Sequence, residues 1–583
     1  MKKKLLGLLS ISALLLSACS FLNNDVGFKY KTMKLYSFVD MDIDEHADPV
    51  KAQEKAYKGD FTLRIHPAYK NILYTDFKSY CKMLATNLPE TFTYEVTESE
   101  FAVSNQEGNS IFVAEVETGH KRIGYAGSLP LGSLGGESMP AGTLMTDAKI
   151  EQKNVVPAKS PINYVSYERF EKDLPTYTYG YRFIAPLGMF DTVFGSVVNA
   201  YHIYDFKQLV QYNSSFPSDI AIGEADNTVK KNLEKFYQDN GMPIDMRLLE
   251  KASLYLTLDN FYGLRDHRHI PSMSNYLDSL GFGKSLLVDD AEERCYNFFD
   301  LFAALDDDHS GVGSIAPWFG DVTEASHRSQ RSGDRKRINE SLLAQRAEEL
   351  NTQSSKYGFD DKVHYSTSGK TAFFYFDSFR FDQREYSEDI KDELWLTDSF
   401  FYFIHQFEAI VAHGGVERVV IDDSCNGGGT IGIALKLLTL ISKDNSGDTY
   451  FYNVGNESVL QLSCQLDING DGLYDKKDVY GDDFEISILT SPASFSCGNL
   501  FPIVAQRYGN AKVIGKTSGG GECSVTGAFL PSGRFIQFSS NSALCDYQFG
   551  KTVRNFELGA TPDIDIPYYQ FYNIDYLESV LQK

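Results

Sequence analysis

The segment ILTSPASFSCGNLFP, residues 488–502, places four small nucleophilic side chains between an apolar strand and a helix. The four are Ser491, Ser494, Ser496 and Cys497. A hydroxyl at such a junction is expected at the carboxyl edge of a parallel sheet, where ligands bind and reactions occur. The N–H of Cys497 would belong to a helix N-terminus and would point at an oxyanion beside the Ser496 hydroxyl. The alternative is that Ser494 or Ser496 only caps the helix.

Two further segments hold residue types that acyl transfer uses. VVIDDSCNGGGTIG, residues 419–432, leads from a strand into Asn426 and three glycines, whose N–H groups can approach a ligand without side-chain interference. No Walker lysine follows, which argues against a phosphate-binding loop. LFAALDDDHSGVGS, residues 301–314, ends a helix in three aspartates followed by His309. Histidine is the usual general base near neutral pH, although a single histidine is more often structural.

Taken together, these segments resemble the carboxy-terminal-processing (tail-specific) serine peptidase family. The shared motifs, in chain order, are L-x-D-x-H-[ST], D-x-x-x-N-x-GG, LTSxxSFSCGN, VIGKTSGGG and ELGATPDIDIP. The likeness is closest to the branch that includes the tricorn protease core and the retinoid-binding-protein-like domains, and it covers about residues 290–583. Many relatives carry a PDZ module after the histidine. Only about 60 residues separate His309 from the strand TAFFYFDSF, so no PDZ domain is predicted.

The resemblance implies roles for particular residues. Ser496 would be the nucleophile, and the N–H groups of Gly428 and Cys497 would form the oxyanion hole. The processing branch takes its base from a lysine 25 residues after the serine, where this chain has Gly521. The tricorn-like branch instead uses a histidine in an upstream D-x-H turn, which His309 matches.

The supporting acid and the alternative base follow from the same comparison. Glu557 is the candidate for the late glutamate that assists the histidine, although it lies one residue closer to the following glycine than is usual. Asn499 stands where the processing branch has glutamate. Lys516, 20 residues after the serine, is the alternative base. The predicted reaction is peptide-bond hydrolysis through an acyl-enzyme, with no cofactor for catalysis. The alternative is a catalytically inactive relative that binds peptides or apolar ligands.

The segment DINGDGLYDKKD, residues 467–478, fits a calcium-loop pattern. The predicted ligands are Asp467, Asn469, Asp471, the carbonyl of Leu473, Asp475 and Asp478. Gly472 stands at the sharp turn, and the last position is aspartate where glutamate is usual. The expectation is a structural Ca²⁺ ion in a loop inserted in the peptidase core. The alternative is a turn without metal.

The first residues, MKKKLLGLLSISALLLSAC, read as an export signal. Leu-Ser-Ala-Cys resembles the bacterial lipoprotein processing box, in which Cys19 would become the lipidated first residue. An ordinary secretory signal or a short membrane helix are the alternatives. The expectation is an extracytoplasmic protein of the cell envelope, anchored to a membrane through Cys19. Removal of residues 1–18 changes the formal charge from −24 to −27, which argues against a nucleic-acid partner. The resemblance implies a peptide or protein substrate.

The expected fold class is α+β with several domains. Aromatic alternating stretches such as FTYEV and TYTYGYRFIAPL predict strands early in the chain, and strands alternating with helices predict a largely parallel sheet at its end. The charged stretch 324–340 reads as an exposed loop, with a helix after it, and GAFLPSGRFIQF reads as a hairpin. The resemblance implies a ClpP/crotonase-like core. The predicted segments are a lipoprotein signal peptide at 1–18, a tether at 19–28, a β-rich domain of unknown role at 29–220, a helical region with the His309 turn at 221–360 and a serine peptidase core at 361–583.

Overall fold

The structure is a computed structural model that describes part of the chain. The described residues are 27–37, 57–86, 88, 90–127, 148–159, 162–198, 200–213, 224–314, 330–352, 359, 362–382, 391–548 and 550–582. The predicted signal peptide and Cys19 lie outside them. Among the helices described, none is both long and apolar enough to cross a bilayer.

The described strands are numbered in chain order. Strands β1 to β13 are Lys29–Ser37, Tyr57–Ile65, Leu73–Asp76, Phe92–Val96, Glu100–Asn105, Ser110–Glu117, Arg122–Gly127, Ala148–Val156, Asn163–Ser166, Tyr177–Tyr179, Arg182–Pro186, Ala200–Tyr204 and Leu209–Asn213. Strands β14 to β25 are Gly311–Ser314, His364–Tyr365, Thr371–Tyr375, Arg418–Asp422, Gly447–Asn453, Val459–Leu466, Glu485–Thr490, Lys512–Gly515, Cys523–Phe529, Phe535–Gln548, Lys551–Val553 and Ile564–Asp565.

The described helices are numbered in the same way. Helices α1 to α13 are Phe77–Ala85, Leu187–Val198, Glu224–Asn240, Ile244–Phe261, Met273–Ser279, Phe282–Ser285, Ala291–Leu305, Gln330–Leu350, Lys391–Leu394, Ser399–His413, Ile431–Leu440, Cys497–Arg507 and Ile574–Leu581. The chain is therefore of the α+β class, as the sequence predicted.

The N-terminal part is rich in β-structure, as predicted from its alternating aromatic residues. One sheet has the order β10-β11-β3-β2-β1-β13-β12, and a second, antiparallel sheet has the order β4-β5-β6-β7-β9. Alternate residues of β6 are buried, which is the pattern of a strand with one face on the core. The buried side chains of the two sheets share one hydrophobic core with helices α4 and α7 and with the hairpin of β22 and β23.

The C-terminal sheet has the order β15-β16-β17-β20-β21-β25, and its strands from β16 to β25 are parallel. The four strands β16, β17, β20 and β21 are almost wholly buried, which is why they read as continuous apolar runs. Helix α10 begins directly after Asp398, the predicted N-cap. The Asp398 carboxylate accepts the N–H of Phe400 at 2.8 Å, which stabilises this end of the helix. The carboxyl ends of these strands meet at one edge, which confirms the predicted α/β core.

A third sheet joins strands that are far apart in the chain. Its order is β14-β23-β18-β19-β8, with β22 and β24 also paired to β23. Strands β22 and β23 form the predicted hairpin, closed by the N–H of Leu530 on the carbonyl of Arg534 at 2.8 Å. Strand β8 comes from the predicted β-rich domain and β14 from the predicted helical region. The sheet therefore crosses the domain boundaries that were predicted from sequence.

The charged segment 324–340 differs from its prediction. Helix α8 begins at Gln330, so residues 330–340 are helical, and the predicted loop is wrong over that range. The reason is tertiary, because Arg335 and Arg346 of this helix pair with acidic side chains of other elements. Residues 324–329 lie outside the described residues.

Candidate active site

Ser496 occupies the junction between β20 and α12. Its φ of 58° and ψ of −120° form a left-handed backbone conformation that non-glycine residues rarely adopt and that is concentrated at functional sites. Its N–H donates to the carbonyl of Gly520 at 3.0 Å, and its own carbonyl accepts the N–H groups of Asn499 and Leu500, each at 2.9 Å. The Ser496 side chain makes no capping hydrogen bond to the helix. The alternative that this hydroxyl merely caps α12 is therefore wrong.

The other hydroxyls of the segment have structural partners. Ser494 Oγ donates to the carbonyl of Asp423 at 2.7 Å, and Ser491 Oγ donates to the carbonyl of Ser424. Both serines are fully buried, whereas Ser496 is half-buried. These bonds attach the turn before α12 to the loop after β17, and Ser496 is the one of these three serines that is partly exposed.

The glycine loop after β17 lies directly against Ser496. Gly428 has a φ of +106°, and a Cβ atom there would lie 2.7 Å from Ser496 Cβ and 3.1 Å from the backbone nitrogen of Cys497. Only glycine fits such an approach. The N–H of Gly428 donates to the side-chain oxygen of Asn426 at 2.9 Å. Both predicted oxyanion donors are thus beside Ser496, and an oxyanion would compete with Asn426 for one of them.

His309 lies in a tight turn that packs on the segment carrying Ser496. The turn is fixed by Asp307, whose carboxylate accepts the N–H of His309 at 3.0 Å and the hydroxyl of Ser310 at 2.6 Å. Gln537 of β23 donates to the carbonyl of His309 at 2.9 Å. The imidazole is buried, and its ring centroid lies 4.6 Å from that of Phe495. The structure therefore brings His309 to the residue that precedes Ser496.

The Glu557 carboxylate lies at the glycine turn 519–521, where it accepts backbone N–H groups. Its Oε2 accepts the N–H groups of Gly521 at 3.0 Å and Glu522 at 3.1 Å. Because the adjacent Gly520 carbonyl accepts the N–H of Ser496, these bonds position the glycine turn beside the nucleophile. The structure thus gives Glu557 contacts with the glycine turn, and its predicted support of His309 stays a prediction.

Lys516, the alternative base, is directed to another partner. Its Nζ lies 2.7 and 2.8 Å from the two carboxylate oxygens of Asp565 on β25, and 5.9 Å from the ring centroid of Tyr568. Its backbone N–H donates to the carbonyl of Thr490 at the end of β20. Of the two candidate bases, His309 is the one whose side chain packs on the residue before Ser496.

Asn499 and Ser518 form a link that the sequence did not predict. Ser518 Oγ donates to Asn499 Oδ1 at 2.7 Å and accepts the N–H of Ala560 at 2.6 Å. Asn499 Nδ2 donates to the carbonyl of Phe556 at 2.9 Å. The amide that replaces the family's glutamate therefore joins α12 to the segment that carries Glu557. The departure at position 499 was visible in the sequence, but its partner was not.

A cavity of about 560 Å³ lies between these segments. It is lined by Asp306, Asp308, Asp334, Arg335, Ile338, Pro492, Thr517, Ser518, Gly519, Glu557 and Leu558. The lining thus comes from the His309 turn, from α8, from the turn before Ser496 and from the glycine turn. A cavity of this size accommodates a few side chains of a peptide.

Asp423, at the start of the glycine loop, is wholly buried. Burial raises the pKa of its carboxyl well above the usual value, and the neighbouring carboxylates of Asp422 and Asp377 raise it further. From about pH 4, the usual pKa of aspartate, up to this raised pKa, the folded chain keeps a proton that the unfolded chain releases. The stability contributed by this group therefore falls as the pH rises through that window.

Asp423→Asn is expected to remove this pH dependence. The free energy of unfolding, measured in urea at about pH 5 and about pH 9, should fall less between the two values in the variant than in the wild type. Asp482→Asn, at an exposed position, is the control and should keep the wild-type difference. An unchanged difference in Asp423→Asn would contradict the assignment.

The loop 467–478 is held by hydrogen bonds from its own backbone to its acidic side chains. Asp467 is nearly buried and Asp478 is fully buried, and the side-chain oxygens of Asp467 and Asp471 accept N–H groups of the loop backbone. Asp478 accepts the N–H groups of Asn469 and Asp475 at 3.3 and 3.1 Å. Within the described part of the chain, no three His, Cys, Asp or Glu side chains are grouped so as to hold a metal ion. The arrangement as described does not itself form a metal site, and calcium binding stays a prediction.

Comparison with known proteins finds a family model that matches part of the chain. The model of peptidase family S41 matches residues 395–566, the segment that holds Ser496 and the glycine loop. This segment is similar to peptidase family S41, and over it the resemblance inferred from the motifs is confirmed. His309 lies outside the matched segment. Curated proteins yield no match to this chain.

Solved structures also match. A putative peptidase from Parabacteroides merdae is 16% identical, with 58% of this chain and 96% of that chain covered and a TM-score of 0.41. Mature CPAF in complex with lactacystin is 13% identical, with 61% and 98% covered and a TM-score of 0.34. A putative S41 protease from Bacteroides fragilis is 16% identical, with 40% and 58% covered and a TM-score of 0.27.

Proposed function

We propose that this protein is a serine endopeptidase that cleaves peptide bonds through an acyl-enzyme on Ser496, with His309 as the base. One observation carries the proposal. The buried His309 imidazole packs on Phe495, the residue before Ser496, and the Gly428 backbone lies against Ser496 itself. A hydroxyl, an imidazole and two backbone donors are the groups that acyl transfer requires.

The chemistry follows from these groups. His309 takes the proton of Ser496 as the hydroxyl oxygen attacks the substrate carbonyl, and the N–H groups of Cys497 and Gly428 stabilise the oxyanion. The protonated imidazole then gives its proton to the leaving amine. Water, deprotonated by the same imidazole, hydrolyses the acyl-enzyme and restores the Ser496 hydroxyl.

A second candidate is a relative that binds peptides or apolar ligands without cleaving them. The hydrogen bond from the Gly428 N–H to Asn426 Oδ1 favours this alternative, because it occupies one oxyanion donor. The enzyme requires that a substrate oxyanion replace the Asn426 carboxamide at this N–H. The two candidates differ in whether the chain turns over a substrate.

Hydrolysis of fluorescein-labelled casein tests the proposal. Ser496→Ala and His309→Ala should each lower the rate by about 10³-fold or more, because members of such a set act as a unit. Lys516→Ala is the matched comparison and should leave the rate close to that of the wild type. If Lys516→Ala abolished hydrolysis and His309→Ala did not, the assigned base would be wrong. If the wild type bound casein but never cleaved it, the binding candidate would replace the enzyme.

Calcium binding by residues 467–478 is proposed as a structural feature. An ion that binds only the folded chain at about 100 times its Kd adds about 2.7 kcal/mol of stability, so the Tm should be several degrees higher in CaCl₂ than in EDTA. Asp471→Ala should lose this difference, and Asp483→Asn, exposed just after the loop, should retain it. Equal Tm values of the wild type in CaCl₂ and EDTA would contradict the proposal.

The proposed location is outside the cytoplasm, with the chain attached to a membrane by lipid on Cys19. The lysine-rich apolar N-terminus and the Leu-Ser-Ala-Cys box support it. Metabolic labelling with a radioactive fatty acid would test it, since Cys19→Ser should abolish incorporation. Incorporation that persists in Cys19→Ser would show that lipid is attached elsewhere.

A further inference from the structure

Helix α8 is anchored to the sheet edge by a buried arginine. Arg346 and the carboxylates of Asp377 and Asp422 are fully buried, with Arg346 Nη1 2.9 Å from Asp377 and 3.2 Å from Asp422. These aspartates lie at or just beyond the carboxyl ends of β16 and β17. The pairing holds one end of α8 at the edge of the sheet where Ser496 lies.

Arg335 lies eleven residues earlier on α8, about three helical turns away and so on nearly the same face. Its Nε is 3.1 Å from the carboxylate of Asp308, the residue before His309. The Asp308 side chain is 1% exposed and that of Arg335 is 23% exposed, so the ion pair is largely shielded from water. A shielded pair of this kind constrains its partners more than a surface pair does.

The same guanidinium also contacts the residue before Ser496. Its central carbon lies 4.0 Å from the centroid of the Phe495 ring, a cation–π distance. The His309 imidazole lies 4.6 Å from that ring. One side chain therefore contacts the two residues that immediately precede His309 and Ser496.

We propose that Arg335 is a positioning residue that aligns the His309 imidazole with the Ser496 hydroxyl, through its ion pair with Asp308 and its contact with Phe495. This proposal rests on the function proposed above. Arg335 acts by fixing two neighbours, and an error of about 1 Å in such an alignment costs about 10²-fold in rate. Loss of Arg335 also removes the cation that pairs with Asp308, the residue before His309, which makes the surroundings more negative and favours protonated histidine.

The charges around His309 determine the pH dependence to be measured. Asp306, Asp307 and Asp308 lie in its own turn, where Arg268 donates to the carbonyl of Asp306. Asp334 and Arg335 lie on α8, and Glu557 lines the cavity together with Asp308 and Arg335. Arg335 is the cation that pairs with Asp308, so its removal makes the surroundings of the imidazole more negative. The rate of Ser496 modification requires the neutral imidazole, so the acid limb of its pH profile should move to higher pH in Arg335→Ala.

The test uses the full chain and a fluorophosphonate, whose second-order rate of reaction with the wild type is measured against pH. Arg335→Ala should lower the maximal rate by about 10²-fold and move the acid limb upward. In Arg335→Ala/Asp308→Asn the limb should return toward that of the wild type, while the rate stays low. Arg335→Lys, which keeps the charge without the planar group, should retain the acid limb with an intermediate rate. Lys336→Ala is the control, since Lys336 is exposed on the same helix and pairs with Glu340.

The outcomes separate this proposal from the function on which it rests. A wild-type rate in Arg335→Ala, or a lower rate in that variant with no movement of its acid limb, would overturn the positioning role. In both cases labelling of the wild type that Ser496→Ala abolishes would leave the peptidase proposal intact. A wild type that does not react at Ser496 would remove the proposed function itself. Urea unfolding of each variant identifies any loss of rate that comes from unfolding. If Arg335→Ala does not fold, the rate and acid limb of Arg335→Lys are compared with those of the wild type instead.

Discussion

Alanine in place of Gly428 is expected to abolish turnover in a chain that still folds. The added Cβ would lie 2.7 Å from Ser496 Cβ and 2.9 Å from the carbonyl oxygen of Phe495, at a φ of +106° that alanine rarely adopts. The loop must then move away from the nucleophile, taking its N–H with it. Loss of one oxyanion donor costs about 10²- to 10³-fold in kcat, and displacement of Ser496 adds to that loss.

The control for this substitution is the preceding glycine. A Cβ on Gly427 would have no heavy atom within 4 Å, and the backbone there is not left-handed. Gly427→Ala should therefore keep most of the wild-type rate. Casein hydrolysis and far-ultraviolet circular dichroism, measured on both variants, check the prediction. Activity of Gly428→Ala close to that of the wild type would show that the glycine loop does not form the oxyanion hole.

Arg346→Met is expected to destabilise the fold by about 3–5 kcal/mol, the usual cost of removing one partner from a buried ion pair. The substitution keeps much of the side-chain volume but leaves the buried carboxylates of Asp377 and Asp422 without their cation, next to the buried Asp423. Urea unfolding measures the change in free energy. The surface variant Lys336→Met, on the same helix, should change it by less than about 0.5 kcal/mol.

A companion variant distinguishes charge from packing at this position. Arg346→Met/Asp377→Asn removes one of the carboxylates that the single variant leaves without its cation, so it should recover part of the lost stability. A loss below about 1 kcal/mol in Arg346→Met would contradict the view that this network holds α8 on the sheet.

The local pattern of the chain predicted the elements around the nucleophile. The apolar runs of β17 and β20, the Asp398 cap and the β22–β23 hairpin depend on neighbouring residues, and the structure has them where the sequence placed them. The motif order paired Ser496 with His309. It did not show how the His309 turn reaches the segment that carries Ser496, because that depends on β14 pairing with β23, more than 200 residues later.

The elements that the sequence did not predict depend on distant partners. The residues around Arg335 read as a solvated loop because a run of charges usually is one, and the buried acids that stabilise α8 come from other segments. In the same way β8 pairs with β19 across about 300 residues, which no local pattern could indicate. The link between Asn499 and Ser518 also required the fold, since each is an ordinary polar residue in sequence.

The most direct test of the account is to locate the residue that an active-site reagent modifies. The full chain is treated with diisopropyl fluorophosphate, and its adduct is mapped by mass spectrometry of proteolytic peptides. We predict a single adduct, on Ser496, formed much more slowly in His309→Ala. Adducts confined to other residues, or an unmodified wild-type chain, would contradict the claim that Ser496 is an activated nucleophile.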